Sequence, residues 1–386
     1  MDQNFDGNNL RLARLANNLS LADIGDVVDK SKQFIQRLEA GRDMPTDDLA
    51  KKLANLLKVE VGFFCQSPGH SLPDRAYHFR KLIGTKVADR QSAIAKGELF
   101  RRVVSLIDSR LKLPAFNFPE YDISTPLAAE RAAEQCRAYW GLGIGPIANM
   151  IRVIENAGGV VTSFEETGRG IDALSIASAR PIVVMNSNEV SACRARFGYA
   201  HEIGHFIGHE GQQTGDKGLE AEANRFAGAF LMPRSTFCKE FPKLRGGTQI
   251  NWLALAELKF RWGVSKAAML YRARQLELIT EDQYRRAIIG RLFAKGERNE
   301  EDEDRAIAHE QPELLLNAMR AMQNRLHISI NDVARAVYMT KDLLIKIAPQ
   351  ISELDSLAKK QNHSSKVFSL SEYRSKESMS TLTKSA

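Results

Sequence analysis

The chain opens with short apolar faces divided by polar turns, the pattern of a small helical domain rather than of a sheet. Leu10, Ala13 and Leu15 begin the first face. Ser20 is placed to cap a second helix, with Asp23 three residues later as the reciprocal partner, and Ile24, Gly25 and Val28 then point inward. Asp29 or Ser31 can cap a third helix bearing Phe34, Ile35 and Leu38, which Glu39-Ala40-Gly41 closes. Pro45 and Thr46 start a fourth, with Leu49, Leu53, Ala54, Leu56 and Leu57 inside. These elements define an all-α domain over residues 8–64.

Beyond it, residues 65–84 hold two prolines and read as a linker. Residues 85–124 read as a connecting helix, Thr85 to Leu111, followed by a proline-bearing loop. Helices follow over Pro126–Trp140 and Ile147–Asn156, separated by a glycine turn. Three β-branched stretches, Gly159–Phe164, Ile171–Ile176 and Pro181–Met185, fit a small antiparallel or mixed sheet. Helical periodicity returns from Ala192 and holds through residues 251–293, with Ser265 and Thr280 as caps. An acidic connector (294–311), a helical region (312–352) with a faint helix-turn-helix rhythm, and a Ser/Lys/Thr-rich tail (353–386) expected to be disordered complete the chain. The fold class is thus multidomain and mainly α: a helical domain, then an α+β domain spanning 125–293.

The 386 residues allow two or three domains, and 44% apolar content is that of an ordinary globular protein. A net charge of +7 fits a nucleic-acid partner without requiring one. Cys65, Cys136, Cys193 and Cys238 form no CxxC pair, which argues against a thiolate zinc finger and for reduced thiols. The N-terminus lacks a signal-peptide pattern and no apolar run is long enough to span a bilayer, so the expectation is a cytoplasmic protein with no membrane partner.

Chemistry concentrates in His201-Glu202-Ile203-Gly204-His205. Residues four apart share a helix face, so His201 and His205 can hold one ion, with Glu202 beside them as a base. Two histidines need a third ligand, and a carboxylate from a later helix is a known solution. Glu220 and Glu222 compete for it; Glu220 is favoured because it shares a face with Ala223, Asn224 and Ala227. Asn224 can then support a liganding histidine through its second ring nitrogen. His209 reads as a helix-end polar residue or an outer contact, and Glu210 and Asp216 as solvated surface. Gly211 stands where a metzincin would carry its third histidine, which removes that class.

Two resemblances give these motifs a setting. Residues 9–64, with "RLEAG", the "MP" step and "LAKKLANLLKVEVGFF", resemble the helix-turn-helix (XRE) domain of the lambda repressor and Cro type. That resemblance implies double-stranded DNA as a partner, allows a homodimer, and makes Ser31, Lys32, Gln33 and Gln36 candidate base readers, with Lys30, Arg37 and Arg42 beside the phosphates. The segments "PIVVMN", "RARFGYAHEIGHFIGH", "EAEANRFAGAFLMP" and "LKFRWGVSKAAMLYRARQLELITEDQY" resemble the ImmA/IrrE metallopeptidases. This implies Zn2+ held by His201, His205 and Glu220, Glu202 as catalytic base, and a protein substrate such as a repressor or antitoxin. An extended substrate is expected along a sheet edge near Ile182 to Asn186. Two other readings share the motifs: a regulator or antitoxin-like component whose second domain senses metal or binds protein without cutting it, and a peptidase whose N-terminal helices recruit its substrate.

Overall fold

The computed structural model describes residues 5–66, 76–81, 86–164, 171–185, 191–209, 212, 216–293 and 301–354. Asn186, Glu210, Gly211, the start of the acidic run and the tail from residue 355 lie outside them.

The N-terminal domain forms as its caps dictate. Helices α1 (Gly7–Ala16), α2 (Leu21–Val27), α3 (Lys32–Glu39) and α4 (Asp47–Leu57) begin at Asp6, Ser20, Ser31 and Thr46, each side chain accepting a hydrogen bond from an early backbone N–H. Ser20 and Asp23 complete a reciprocal capping box. Of the two candidates for the cap of α3, Ser31 serves, while Asp29 takes a left-handed φ of 54° in the turn before it. Gly25 lets that turn close on α2, since a Cβ there would stand 2.5 Å from the Lys30 carbonyl oxygen.

Residues read as linker carry an unexpected strand. β1 (Tyr77–Lys81) joins β2 (Val160–Ser163), β3 (Ile171–Ile176) and β4 (Ile182–Met185) in a four-stranded sheet ordered β1-β3-β4-β2. The alternation of Tyr77 and Phe79 with His78 was the sequence signal, too short to outweigh the prolines before it. β1 and β4 run antiparallel to β3, whereas β2 runs parallel to β4, so the sheet is mixed. β4 is therefore flanked on both sides, and over Ile182–Met185 the expected sheet edge is not free; the edges belong to β1 and β2.

Both faces of the sheet are covered, so its strands read as apolar runs. Leu174, Ile176, Ile182 and Val184, with Tyr77 and Phe79, join one core with α5 (Val87–Arg110) and the N-terminal helices. Val161, Ala173, Val183 and Met185 join the other with α6 (Pro126–Tyr139), α7 (Met150–Asn156), α8 (Ala192–Gly208) and α9 (Lys217–Leu231). Helices α10 (Arg234–Glu240), α11 (Trp252–Trp262), α12 (Lys266–Gln275) and α13 (Glu281–Ala287) back that second core through Phe237, Trp262, Met269, Leu270 and Ala287. Arg272 of α12 is 1% exposed and spends its guanidinium on both oxygens of Glu130 and on the Met232 carbonyl. Removing one partner of a buried pair leaves the other charge uncompensated. Glu130→Ala is thus expected to cost about 3 kcal/mol, read as a lower urea midpoint; an unchanged midpoint would show that the pair contributes nothing.

The acidic connector is not merely solvated. In α14 (Glu301–Ala306), Glu303 pairs with Lys266 and Asp304 with the fully buried Lys259. Glu310 pairs with Arg196 and accepts from the backbone N–H groups that open α7. The acids of this segment answer buried cations on the peptidase-like helices, a match that charge counting along the chain does not reveal.

The faint rhythm near the C-terminus is a real backbone repeat. Helices α15 (Leu314–Leu326), α16 (Ile330–Ala336) and α17 (Lys341–Ile347) follow the order of α1, α2 and α3, and the turns and caps between them keep the same spacing. His327 (φ 55°), Ser329, Tyr338 (φ 57°) and Thr340 stand in the spacing of Asn18 (φ 58°), Ser20, Asp29 (φ 54°) and Ser31. Ser329 and Asp332 form the same capping box, and Met339 N–H bonds the Ala334 carbonyl at 2.9 Å as Lys30 N–H bonds Gly25. The use differs. The side chains of Leu343, Leu344 and Ile347 are buried, and Ile347 receives Thr162 of β2, so α17 faces the protein. Its turn docks on the exit of α4, where Glu60 N–H meets the Tyr338 carbonyl at 2.9 Å and Thr340 N–H meets Lys58 at 3.0 Å.

Candidate metal centre and candidate DNA-binding helix

Helix α8 starts at Ser191, whose hydroxyl accepts from Arg194 N–H. It crosses α9 closely because Gly204 has no side chain: a Cβ there would lie 3.3 Å from Ala223 Cα. Asp216, read as solvated from the sequence, instead caps α9 and leaves Glu220 in its first turn, facing α8. The sequence thus builds the close helix pair that carries the site.

The two imidazoles and one carboxylate converge. His201 Nε2 lies 3.0 Å from His205 Nε2, and these atoms lie 3.3 and 3.4 Å from the two oxygens of Glu220. His201, His205 and Glu220 are the group of three potential ligands found among the described residues. Donors about 2.0–2.1 Å from a tetrahedral ion stand roughly 3.3 Å from one another, so the observed spacing and the N, N, O donor set fit zinc. Burial works to raise the Glu220 carboxyl, but the imidazoles of His201 and His205 beside it prevail and hold it well below the usual range.

Outer contacts orient both rings. Asn224 Oδ1 lies 3.1 Å from His201 Nδ1, so that nitrogen carries the proton and Nε2 keeps its lone pair. Behind His205 runs a longer chain: His205 Nδ1 to His209 Nδ1 at 2.9 Å, then His209 Nε2 to Glu222 at 2.9 Å. Glu222 accepts only, so a neutral His209 donates from Nε2 and accepts at Nδ1; His205 then donates from Nδ1 and turns its Nε2 lone pair toward the centre. Glu222, the rival ligand, is therefore diverted to His209. Its spacing from Glu220 indicated a different face, but the partner on that face lay at the far end of α8, beyond the reach of sequence spacing.

Glu202 is 1% exposed, on α8 between the two histidines. Arg194, Arg196 and Tyr199, which precede the motif on α8, do not converge on it. Arg194 is exposed; Arg196 is buried against Glu310 and the Ile147 and Gly263 carbonyls, and Tyr199 is buried in the second core. His78 of β1, absent from the sequence expectations, packs on the site: its ring lies 5.2 Å from that of His205, and burial, then His205 and His209, push it down to about 4.

On the other domain, Lys30, Ser31, Lys32, Gln33, Gln36, Arg37 and Arg42 are all exposed around α3. Three have local contacts: the Ser31 hydroxyl caps the helix, Arg37 pairs with Asp43 at 2.6 Å while lying over Phe34, and Lys30 lies over the same ring. Lys32, Gln33 and Gln36 keep their side chains on the open face.

Among curated proteins, none matches the chain. The family described as helix-turn-helix matches residues 10–64, and the family described as IrrE N-terminal-like domain matches residues 155–274, the stretch that holds the sheet from β2 onward, α8 and α9. The chain thus joins an N-terminal helix-turn-helix domain of the XRE type to an IrrE-type peptidase-like domain, the architecture of the ImmA/IrrE family.

Proposed function

We propose that the chain is a DNA-binding regulator whose second domain is a zinc-dependent endopeptidase that cuts a regulatory protein, such as a repressor or an antitoxin, at one site. The observation that carries this reading is the convergence of His201, His205 and Glu220 with Glu202 on the same helix. Bound zinc would polarise the scissile carbonyl and acidify the attacking water. The remaining work falls to the chain. Asn224 and the His209–Glu222 pair hold the two imidazoles in the tautomer that turns each Nε2 lone pair toward the centre. Glu202 takes the proton of the attacking water on its carboxylate and returns it to the departing amine nitrogen. The test mixes the zinc-loaded protein with repressors and antitoxins encoded near its gene. Cleavage into two fragments, abolished by a chelator, is expected; full zinc loading with every candidate left intact would favour a metal-sensing regulator.

DNA recognition is assigned to α3. Gln33 and Gln36 present amide donors and acceptors suited to base edges, while Lys32, grouped with the base readers by the resemblance, carries a cation better suited to phosphate. Substituting Gln33 or Gln36 by Ala is expected to cost about 1–3 kcal/mol on the preferred duplex and little on unrelated DNA. Lys32→Ala should weaken every duplex alike and flatten the salt dependence by about one counterion. Fluorescence anisotropy over a salt series separates the two, and equal losses from all three variants would contradict the assignment.

A further inference from the structure

The face of the sheet turned to α8 is apolar at Val161, Ala173, Val183 and Met185. It turns polar towards the β1 edge. His78 and Ser175 stand directly opposite each other in the antiparallel β1–β3 pair, so their side chains share that face. Tyr77 and Phe79 point the other way, where Tyr77 reaches Glu98 of α5 and Arg90 lies over Phe79. His78 is 5% exposed and Ser175 is fully buried. Yet neither the Nδ1 of His78 nor the hydroxyl of Ser175 has a hydrogen-bond partner among the described residues. Leaving a buried polar atom unpaired costs about 1–3 kcal/mol. Two such residues paired across the β1–β3 ladder, one of them with its ring against that of a metal ligand, mark a place built for a polar group that arrives from outside.

We propose that His78, with Ser175 beside it, is the substrate-side contact of the metal centre, its imidazole hydrogen-bonding the carbonyl oxygen of the peptide bond to be cut. The proposal rests on the peptidase reading above and deepens it. The geometry separates His78 from the ligands: His201, His205 and Glu220 bring their donor atoms within 4.8 Å of one another, and His78 is outside that group. The oxygen of a carbonyl under attack gains negative charge, and a fixed donor beside it gains strength as that charge grows. β1 lies outside the stretch matched by the IrrE N-terminal-like family. The segment joining the DNA-binding and peptidase-like domains would therefore contribute directly to catalysis.

The experiment uses the full chain, unaltered and as His78→Phe, His78→Gln and Ser175→Ala. Cobalt loading and its visible absorption report the ligand set. Two probes report the rest: acetohydroxamate, which needs only the metal, and a dipeptide phosphonamidate, which places a charged oxygen where the attacked carbonyl would be. Expected are an unchanged cobalt spectrum, unchanged acetohydroxamate binding, and phosphonamidate binding weakened on the order of 100-fold in His78→Phe, less in His78→Gln. Equal phosphonamidate affinity in all variants would overturn the proposal. So would a shifted cobalt spectrum with loss of both probes, which would make His78 a ligand or a prop for His205. An unaltered protein that takes up cobalt but binds neither probe would fail the peptidase reading itself, a result distinct from either.

Discussion

Glu202→Gln is expected to reduce peptide hydrolysis by about 10²–10⁴-fold while leaving the metal in place. Gln has the shape of Glu and loses only the proton-accepting oxygen. The side chain is 1% exposed on α8, so an isosteric change leaves the packing of α8 against α9 intact. The loss should fall on turnover and not on zinc content, because the donor atoms of His201, His205 and Glu220 converge without it. The check is a paired measurement of fragment appearance and of bound zinc. Turnover within tenfold of the parent would place the base elsewhere, and a parallel loss of zinc would make Glu202 structural. The same variant should bind its protein partner without cutting it, which makes it a trap for identifying that partner.

Much of this site was legible in sequence because helical spacing is local. The four-residue interval of His201 and His205 needed only a helix, and the caps at Ser20, Ser31, Thr46, Ser265 and Thr280 all formed where their spacing placed them. Glu220 and Asn224, one turn apart, were likewise readable as one face of α9. What sequence could not show depends on chain segments meeting. The Glu222–His209 contact joins the first turn and a half of α9 to the C-cap of α8. His78 belongs to a five-residue strand behind two prolines, and only pairing with β3 reveals it. The C-terminal repeat was audible as a rhythm, but whether α17 meets solvent or β2 is a tertiary fact. The partners of Glu303, Asp304 and Glu310 in the acidic connector were not legible because their cations, Lys266, Lys259 and Arg196, are distant in sequence.

The two glutamates of α9 provide the sharpest separation of roles. Glu220 offers both oxygens to His201 and His205, whereas Glu222 reaches the centre only through His209. Replacing Glu222 by Gln keeps the length and removes the charge. An amide can still accept from His209 Nε2, but it no longer polarises the chain that makes His205 a stronger donor. Outer partners of metal ligands are worth about 10–100-fold in affinity, so Glu222→Gln should fall within that range. Glu220→Ala removes a ligand and should exceed it, with zinc lost more than about 100-fold more readily. His209→Ala should resemble Glu222→Gln, and the double variant should be little worse than either single one, because both act through one path. Competition with a chromophoric chelator measures all four. A larger loss from Glu222→Gln than from Glu220→Ala would exchange the two roles, and additive losses from His209 and Glu222 would break the chain that links them to His205.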